Sequence, residues 1–202
     1  MRRMRGAIAA VGVAASLCGC ASKAPPERFH TLLPAERAAA AAPAPPALHV
    51  DVLPVAVPAQ VDHAQWVVRQ PDGSLLMLEQ DRWAAPLPDE VRAAVVERLA
   101  ARWGAIDVRV VGRPAGPVWR VRVDVQRFET IPGREARLEA AWSVSPSSAA
   151  PREAAATVCR SVLVETPGAA GVAALAAAHR RNVEKLGDAI GERLRGAAVD
   201  PC

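Results

Sequence analysis

The chain has 202 residues and a formal net charge of +4, but three of its arginines lie within the first 19 residues. Without those residues, 22 basic side chains (25 minus 3) face 21 acidic ones. A chain this close to neutral lacks the basic surface that nucleic-acid binding requires, so we expect no nucleic-acid partner. The remaining 183 residues (202 minus 19) are enough for one domain with a substantial core.

The N-terminal residues predict a lipoprotein signal peptide. The arginines precede an apolar run over residues 7–17, which has the length of a signal-peptide core and is too short to span a bilayer. Leu17 and Gly19 then place Cys20 in a sequence that resembles the lipobox of bacterial lipoproteins. We therefore predict that residues 1–19 are removed and that Cys20 carries the lipid. An ordinary secreted signal peptide, cleaved nearby, is the alternative.

Residues 20–47 are predicted to form a lipidated tether, a short strand and an Ala/Pro-rich loop. Pro25 and Pro26 interrupt any apolar periodicity in the tether and favour an extended spacer. Residues 29–33 have the composition of a short strand, and residues 35–47 contain too few large apolar side chains to pack. We therefore predict that the folded domain covers residues 48–202.

Two cysteines remain after the predicted cleavage and acylation. Cys159 and Cys202 would then be the thiols exposed to an oxidising periplasm, which favours a disulfide between them. Two unrelated free thiols are the alternative.

Alternating apolar residues predict strands in the first half of the domain. The pattern at residues 48–52 changes phase at Pro54, which indicates a bulge or a sheet edge. Residues 66–69 and 75–78 flank a turn-rich segment at 70–74 and predict a hairpin. Trp66 and Trp83 bracket this hairpin. We favour a core position for both, with interface anchors as the alternative.

Two amphipathic helices and further strands are predicted in the second half. Pro88 opens a four-residue apolar repeat that Gly104 ends, and a second apolar stripe runs through residues 171–195. Alternation predicts strands near residues 106–110, 121–125, 136–144 and 157–164, with a hairpin turn at 132–134. The predicted class is α+β, with a mostly antiparallel sheet and two amphipathic helices packed on one face.

The sequence contains no pattern that predicts catalysis, a metal site or a cofactor. The four histidines are scattered at spacings that do not gather metal ligands. His179 lies on the apolar stripe of the last helix, where we expect a core histidine bonded to a backbone carbonyl. No nucleophile elbow is present, and Cys159 is better explained by a bridge than by a catalytic pair. We therefore predict a protein that is not an enzyme.

Several short segments, in order, carry a family resemblance. They are residues 29–32 (FHTL), 55–58 (VAVP), 61–69 with Asp62 and QWVVR, and 82–87 (RWAAPL). With a lipobox in front, the chain resembles the PqiC-like outer-membrane auxiliary lipoproteins of ABC-type transport systems, which act with MCE-domain proteins.

The resemblance implies a non-enzymatic component of a machine that moves phospholipid between the two membranes and supports envelope integrity. Its implied partners are a periplasmic MCE-domain protein, the inner-membrane transport components, and the outer membrane, to whose periplasmic face a lipid would anchor it. A lipoprotein that regulates cell-wall synthesis, or a periplasmic enzyme, is the alternative. From exposure and residue type we predict that the partner binds at Asp62, Gln65, Trp66, Arg69, Arg82, Trp83 and Pro86.

Overall fold

The structure is a computed structural model that describes residues 25–36, 48–112, 114, 116–147, 158–196 and 202. In these residues eight strands and three helices follow one another along the chain. The strands are β1 (Arg28–His30), β2 (His49–Val52), β3 (Gln65–Arg69), β4 (Leu75–Trp83), β5 (Ile106–Asp107), β6 (Val118–Ile131), β7 (Glu135–Pro146) and β8 (Val158–Glu165). The helices are α1 (Leu87–Trp103), α2 (Val108–Val111) and α3 (Val172–Leu194).

The strands form two mixed sheets. One has three strands in the order β1-β4-β3, and the other has five in the order β5-β2-β6-β7-β8. The pairs β1–β4, β2–β5 and β2–β6 are parallel, whereas β3–β4, β6–β7 and β7–β8 are antiparallel. The predicted α+β class is confirmed, and the expectation of one mostly antiparallel sheet is corrected to two mixed sheets.

The long β6–β7 hairpin forms the centre of the larger sheet. Val121, Val123 and Val125 are buried at every second position of β6, as strand geometry requires when one face is packed. A register shift between Val125 and Arg127 then changes the phase, so that Phe128 points into the core. Gly133 has a positive φ of 70° in the predicted turn, a conformation that favours glycine.

The two long helices pack against each other, and α3 also covers β7 and β8. Gly187 and Gly191 on α3 allow this close approach, because a Cβ added at Gly187 would lie 2.8 Å from Cγ of Arg98. A Cβ at Gly191 would overlap the indole of Trp103. The α1 helix ends as predicted at Gly104, which has a φ of 62° and caps the backbone of the last turn.

Two local expectations are corrected. The strand predicted through residue 110 ends at Asp107, because the Asp107 side chain accepts a hydrogen bond from the Arg109 backbone N–H at 3.0 Å and begins α2. The folded region also begins before residue 48, since β1 pairs with β4 and Leu32 is fully buried.

Candidate partner-docking site

Two of the predicted partner residues, Trp66 and Trp83, are core residues in the structure. Their side chains are 1% and 5% exposed, and their ring centroids lie 4.1 Å apart. Phe128 of the larger sheet meets the edge of Trp83 with ring centroids at 5.9 Å. The two indoles therefore join the small sheet to the large one, as in the core interpretation, and Trp66 has no surface to offer a partner.

Arg69 has a structural role at the end of β3. Its Nε and Nη2 donate to Oε1 of Glu129 at 3.2 and 2.8 Å, and its Nη1 donates to the carbonyl of Gly73 at 2.9 Å. The guanidinium thus ties the β3–β4 turn to β6. Its donors are largely committed within the domain, which makes it a weaker docking candidate than the sequence suggested.

Arg82 and Gln65 face each other across the β3–β4 pair, next to a register shift in β4. The Arg82 side chain is about one-third exposed, and its Nη2 lies 2.9 Å from Oε1 of Glu27 in the segment that precedes β1. Its Nε is buried without a hydrogen-bond partner. Among the described residues Arg82 therefore pairs with one half-exposed carboxylate, and the exposed part of its guanidinium can donate to another molecule.

An open pocket of about 420 Å³ lies where β4 ends and α1 begins. We call it the Pro86 pocket. Its walls come from two segments that hydrogen bonds hold together, since Trp83 N–H donates to the carbonyl of Ala64 at 2.9 Å. The lining residues are Asp62, His63, Ala64, Trp83, Ala84, Ala85 and Pro86. The structure thus brings Asp62, Trp83 and Pro86 together around one cavity, although Asp62 and Pro86 are 24 positions apart in the sequence.

The polar cluster beside this pocket was not found from the sequence. Arg28 donates from Nε and Nη2 to Oδ1 and Oδ2 of the buried Asp81 at 2.9 and 2.7 Å, and His30 Nε2 lies 2.7 Å from Oδ1. The hydrogen bond from Arg28 is the main reason that the pKa of Asp81 lies below its usual value. Asp81 lies in an ordinary strand pattern, and only the parallel β1–β4 pairing brings its partners to it.

His179 occupies the protein interior. Its Nε2 lies 2.8 Å from the Thr130 hydroxyl, and its ring stacks on Phe128 with centroids at 3.9 Å. The predicted core position is confirmed, but the partner is a hydroxyl and not a backbone carbonyl. Burial alone lowers the pKa of His179 to about 3, so the ring is neutral at physiological pH.

The remaining predicted site residues are cysteines. Cys159 and Cys202 are joined by a disulfide, and Cys20 lies outside the described residues. Within the described ranges no three His, Cys, Asp or Glu side chains gather to hold a metal ion. In the same part of the chain, no helix combines the length and the apolar character needed to cross a bilayer.

Comparison with known proteins identifies the fold and the family. An uncharacterised protein of solved structure superposes with a TM-score of 0.66 at 15% identity, over 84% of this chain and 99% of its own. A Xanthomonas campestris protein of family DUF330 superposes with a TM-score of 0.57 at 17% identity, over 86% of this chain and 89% of its own. No curated protein is similar enough in sequence to count as a relative. The family described as ABC-type transport auxiliary lipoprotein component matches residues 30–191, and the chain belongs to this family.

Proposed function

We propose that this protein is the lipid-anchored outer-membrane component of a phospholipid transport system that combines an ABC transporter with a periplasmic MCE-domain partner. The observation that carries the proposal is a family match that starts at residue 30, only ten positions after the lipobox cysteine. The role is non-enzymatic: the protein docks its partner at the membrane and so supports envelope integrity.

The anchor determines where the protein works. Residue 21 is Ala and not an acidic residue of the kind that retains bacterial lipoproteins at the inner membrane, which favours the outer membrane. Eight chain steps separate Cys20 from Arg28, and a chain of that length reaches about 29 Å at most. The domain therefore stays near the outer membrane, and a partner that crosses the periplasm must come to it.

The Pro86 pocket is the surface we propose for that contact. Its wall from Trp83 to Pro86 is largely apolar, whereas Asp62 on its rim is an exposed carboxylate. Arg82 lies next to the pocket in the sequence, and its ion pair is with the half-exposed Glu27. A partner that places an apolar side chain in the pocket and polar groups on its rim would match this arrangement, which is the usual anatomy of an interface. Gln65, the register partner of Arg82, lies beside it.

The first experiment tests the function. The intact lipoprotein is purified from envelopes with its bound proteins, and the mass of its mature N-terminus is measured. We expect an acylated Cys20 and co-purified MCE-domain and ABC-transport components. An unmodified N-terminus after residue 20 would remove the anchor, and a preparation without those partners would remove the transport role.

The second experiment tests the docking surface. We expect Arg82→Ala to weaken partner binding by about 1–3 kcal/mol, because an interface arginine loses charged hydrogen bonds when it is truncated. The fold should persist, since a partly exposed ion pair contributes about 0–1 kcal/mol. Arg160→Ala is the matched control: Arg160 also pairs with one acid, Glu139, but lies on β8 at the edge of the other sheet. Equal affinities for a folded Arg82→Ala protein and the control would exclude the docking site.

A further inference from the structure

Three consecutive apolar residues at the start of β4 are exposed. Leu75, Leu76 and Met77 are 46%, 46% and 43% exposed, and we call them the hairpin patch. Successive side chains of a strand point to opposite faces, so the patch presents apolar groups on both faces of the hairpin. Their partners across the hairpin, Arg69, Val68 and Val67, are less exposed. The β4 side of the hairpin is therefore an apolar projection beyond the core.

The topology places this patch at the end of the sheet from which the chain enters the domain. Strand β1 runs parallel to β4, with Arg28 opposite Asp81 and His30 opposite Trp83. The N-terminal direction of β1 is thus the direction in which β4 runs back from Asp81 to Leu75. Residues 25–27, which precede β1, therefore lead toward the end of the small sheet that carries the hairpin patch.

The chain length outside the domain fits this arrangement. Eight steps separate Cys20 from Arg28, which allow at most about 29 Å. The six strand steps from Asp81 to Leu75 span about 20 Å. A lipid on Cys20 can therefore be inserted in a bilayer whose surface touches the hairpin patch. With β4 perpendicular to that surface, the opposite end of the strand would lie farther from the bilayer by the length of the strand.

We propose that the hairpin patch inserts into the interfacial region of the bilayer that holds the Cys20 lipid, as a second contact that orients the domain. This inference rests on the lipid anchor of the proposed function. An anchor at one residue leaves the orientation of the domain free, whereas exposed apolar groups at the anchored end add a favourable burial against lipid. The Pro86 pocket begins at Trp83, at the other end of β4, and so faces away from the membrane toward an arriving partner.

The test uses the mature acylated protein in vesicles of phosphatidylethanolamine and phosphatidylglycerol, with and without phospholipid brominated on its acyl chains. Leu76→Trp reports on the patch, because bromine quenches an indole that lies among the acyl chains. Val162→Trp is the matched control: Val162 is 52% exposed, but it lies on β8, at an edge of the other sheet. Each variant is compared with the parent protein, whose own five tryptophans supply the background.

We expect Leu76→Trp to gain blue-shifted fluorescence that the brominated lipid quenches, while the Val162→Trp signal is not quenched. Protein that floats with the vesicles but shows the same quenching in both variants, including none in either, would overturn the hairpin contact and leave the anchor intact. A blue shift that appears only at high protein concentration and is not quenched by the brominated lipid would show that the patch binds a second copy of the chain. That result would also overturn the proposal. Protein that fails to float would overturn the anchor and the inference together.

Discussion

The buried histidine predicts a loss of stability at mildly acidic pH. In the folded protein the pKa of His179 is lowered from 6.5 to about 3, because the ring is fully buried away from water. Between pH 6.5 and pH 3 the histidine is therefore protonated in the unfolded chain but neutral in the folded chain. The free energy of unfolding consequently falls as the pH is lowered toward 3. The loss of stability reaches about 2 kcal/mol at pH 5 and about 4 kcal/mol at pH 3, since each pH unit between the two pKa values costs about 1.4 kcal/mol.

Urea unfolding at pH 7.5 and pH 5, followed by tryptophan fluorescence, measures this loss. His179→Gln removes the titrating ring but keeps an amide that can reach the Thr130 hydroxyl. Its stability at pH 7.5 should be lower, because the stacking on Phe128 is lost. Its further loss between pH 7.5 and pH 5 should nevertheless be smaller than that of the parent by about 2 kcal/mol.

His63→Gln is the matched control for that experiment, because His63 is an exposed histidine on the rim of the Pro86 pocket. It should keep the pH dependence of the parent. Parallel stability profiles for the parent and His179→Gln would refute the argument, since they would show that His179 binds its proton equally well in the folded and unfolded chains.

Three further predictions concern a core tryptophan, a buried ion pair and the disulfide. Trp83→Ala should cost about 3–5 kcal/mol of stability, and an unchanged melting temperature would contradict its core position. Asp81→Asn should reduce the loss of stability in acid: the pKa of Asp81 is lowered in the folded state, so its contribution is present above about pH 4 and lost as the pH falls through the folded pKa. Acid unfolding profiles that match the parent would argue against this role. Cys159→Ser should lower stability by about 4 kcal/mol, because the Cys159–Cys202 bridge closes 43 residues, and should leave partner choice unchanged. A non-reducing peptide map with both thiols free would contradict the bridge.

The sequence predicted best those elements whose pattern is local. The β6–β7 hairpin alternates over long strands around a glycine turn, and α1 and α3 carry repeated apolar stripes. Helix boundaries came within one or two residues because Gly104 ends α1 by its own backbone conformation. The α+β class followed from the number and order of these elements.

Pairing between distant strands could not be predicted. The β1–β4 and β2–β6 pairs are parallel and join segments far apart in the sequence. The alternation of residues within a strand does not predict which distant strand it pairs with. The division into two sheets and the burial of both indoles depend on this pairing. At residues 108–110 an alternating valine pattern was overridden by the Asp107 side chain, which caps the following turn and leaves Val110 exposed.

For the proposed docking site, the sequence predicted the segments but not their spatial arrangement. Asp62 and Pro86 were selected by type and lie on one pocket, whereas Trp66 and Arg69 were selected by the same reasoning and face the core or bind within the domain. Tryptophan and arginine are frequent both in cores or ion pairs and at interfaces, so composition alone cannot distinguish the two environments. Exposure decides between them, and exposure depends on the tertiary pairing.

The β1–β4 pairing also determines how a force applied at the proposed anchor is transmitted to the domain. The segment that follows the tether is fastened at two buried carboxylates, Asp81 on β4 and Glu90 on α1. Glu90 accepts hydrogen bonds from the Thr31 hydroxyl at 2.7 Å and from the Leu32 backbone N–H at 2.8 Å. Because Leu32 is itself fully buried, this segment cannot peel away without opening the core. Tension on the lipid at Cys20 would therefore reach β4 directly. The strand that carries the hairpin patch at one end and the Pro86 pocket at the other would thus be held against the membrane.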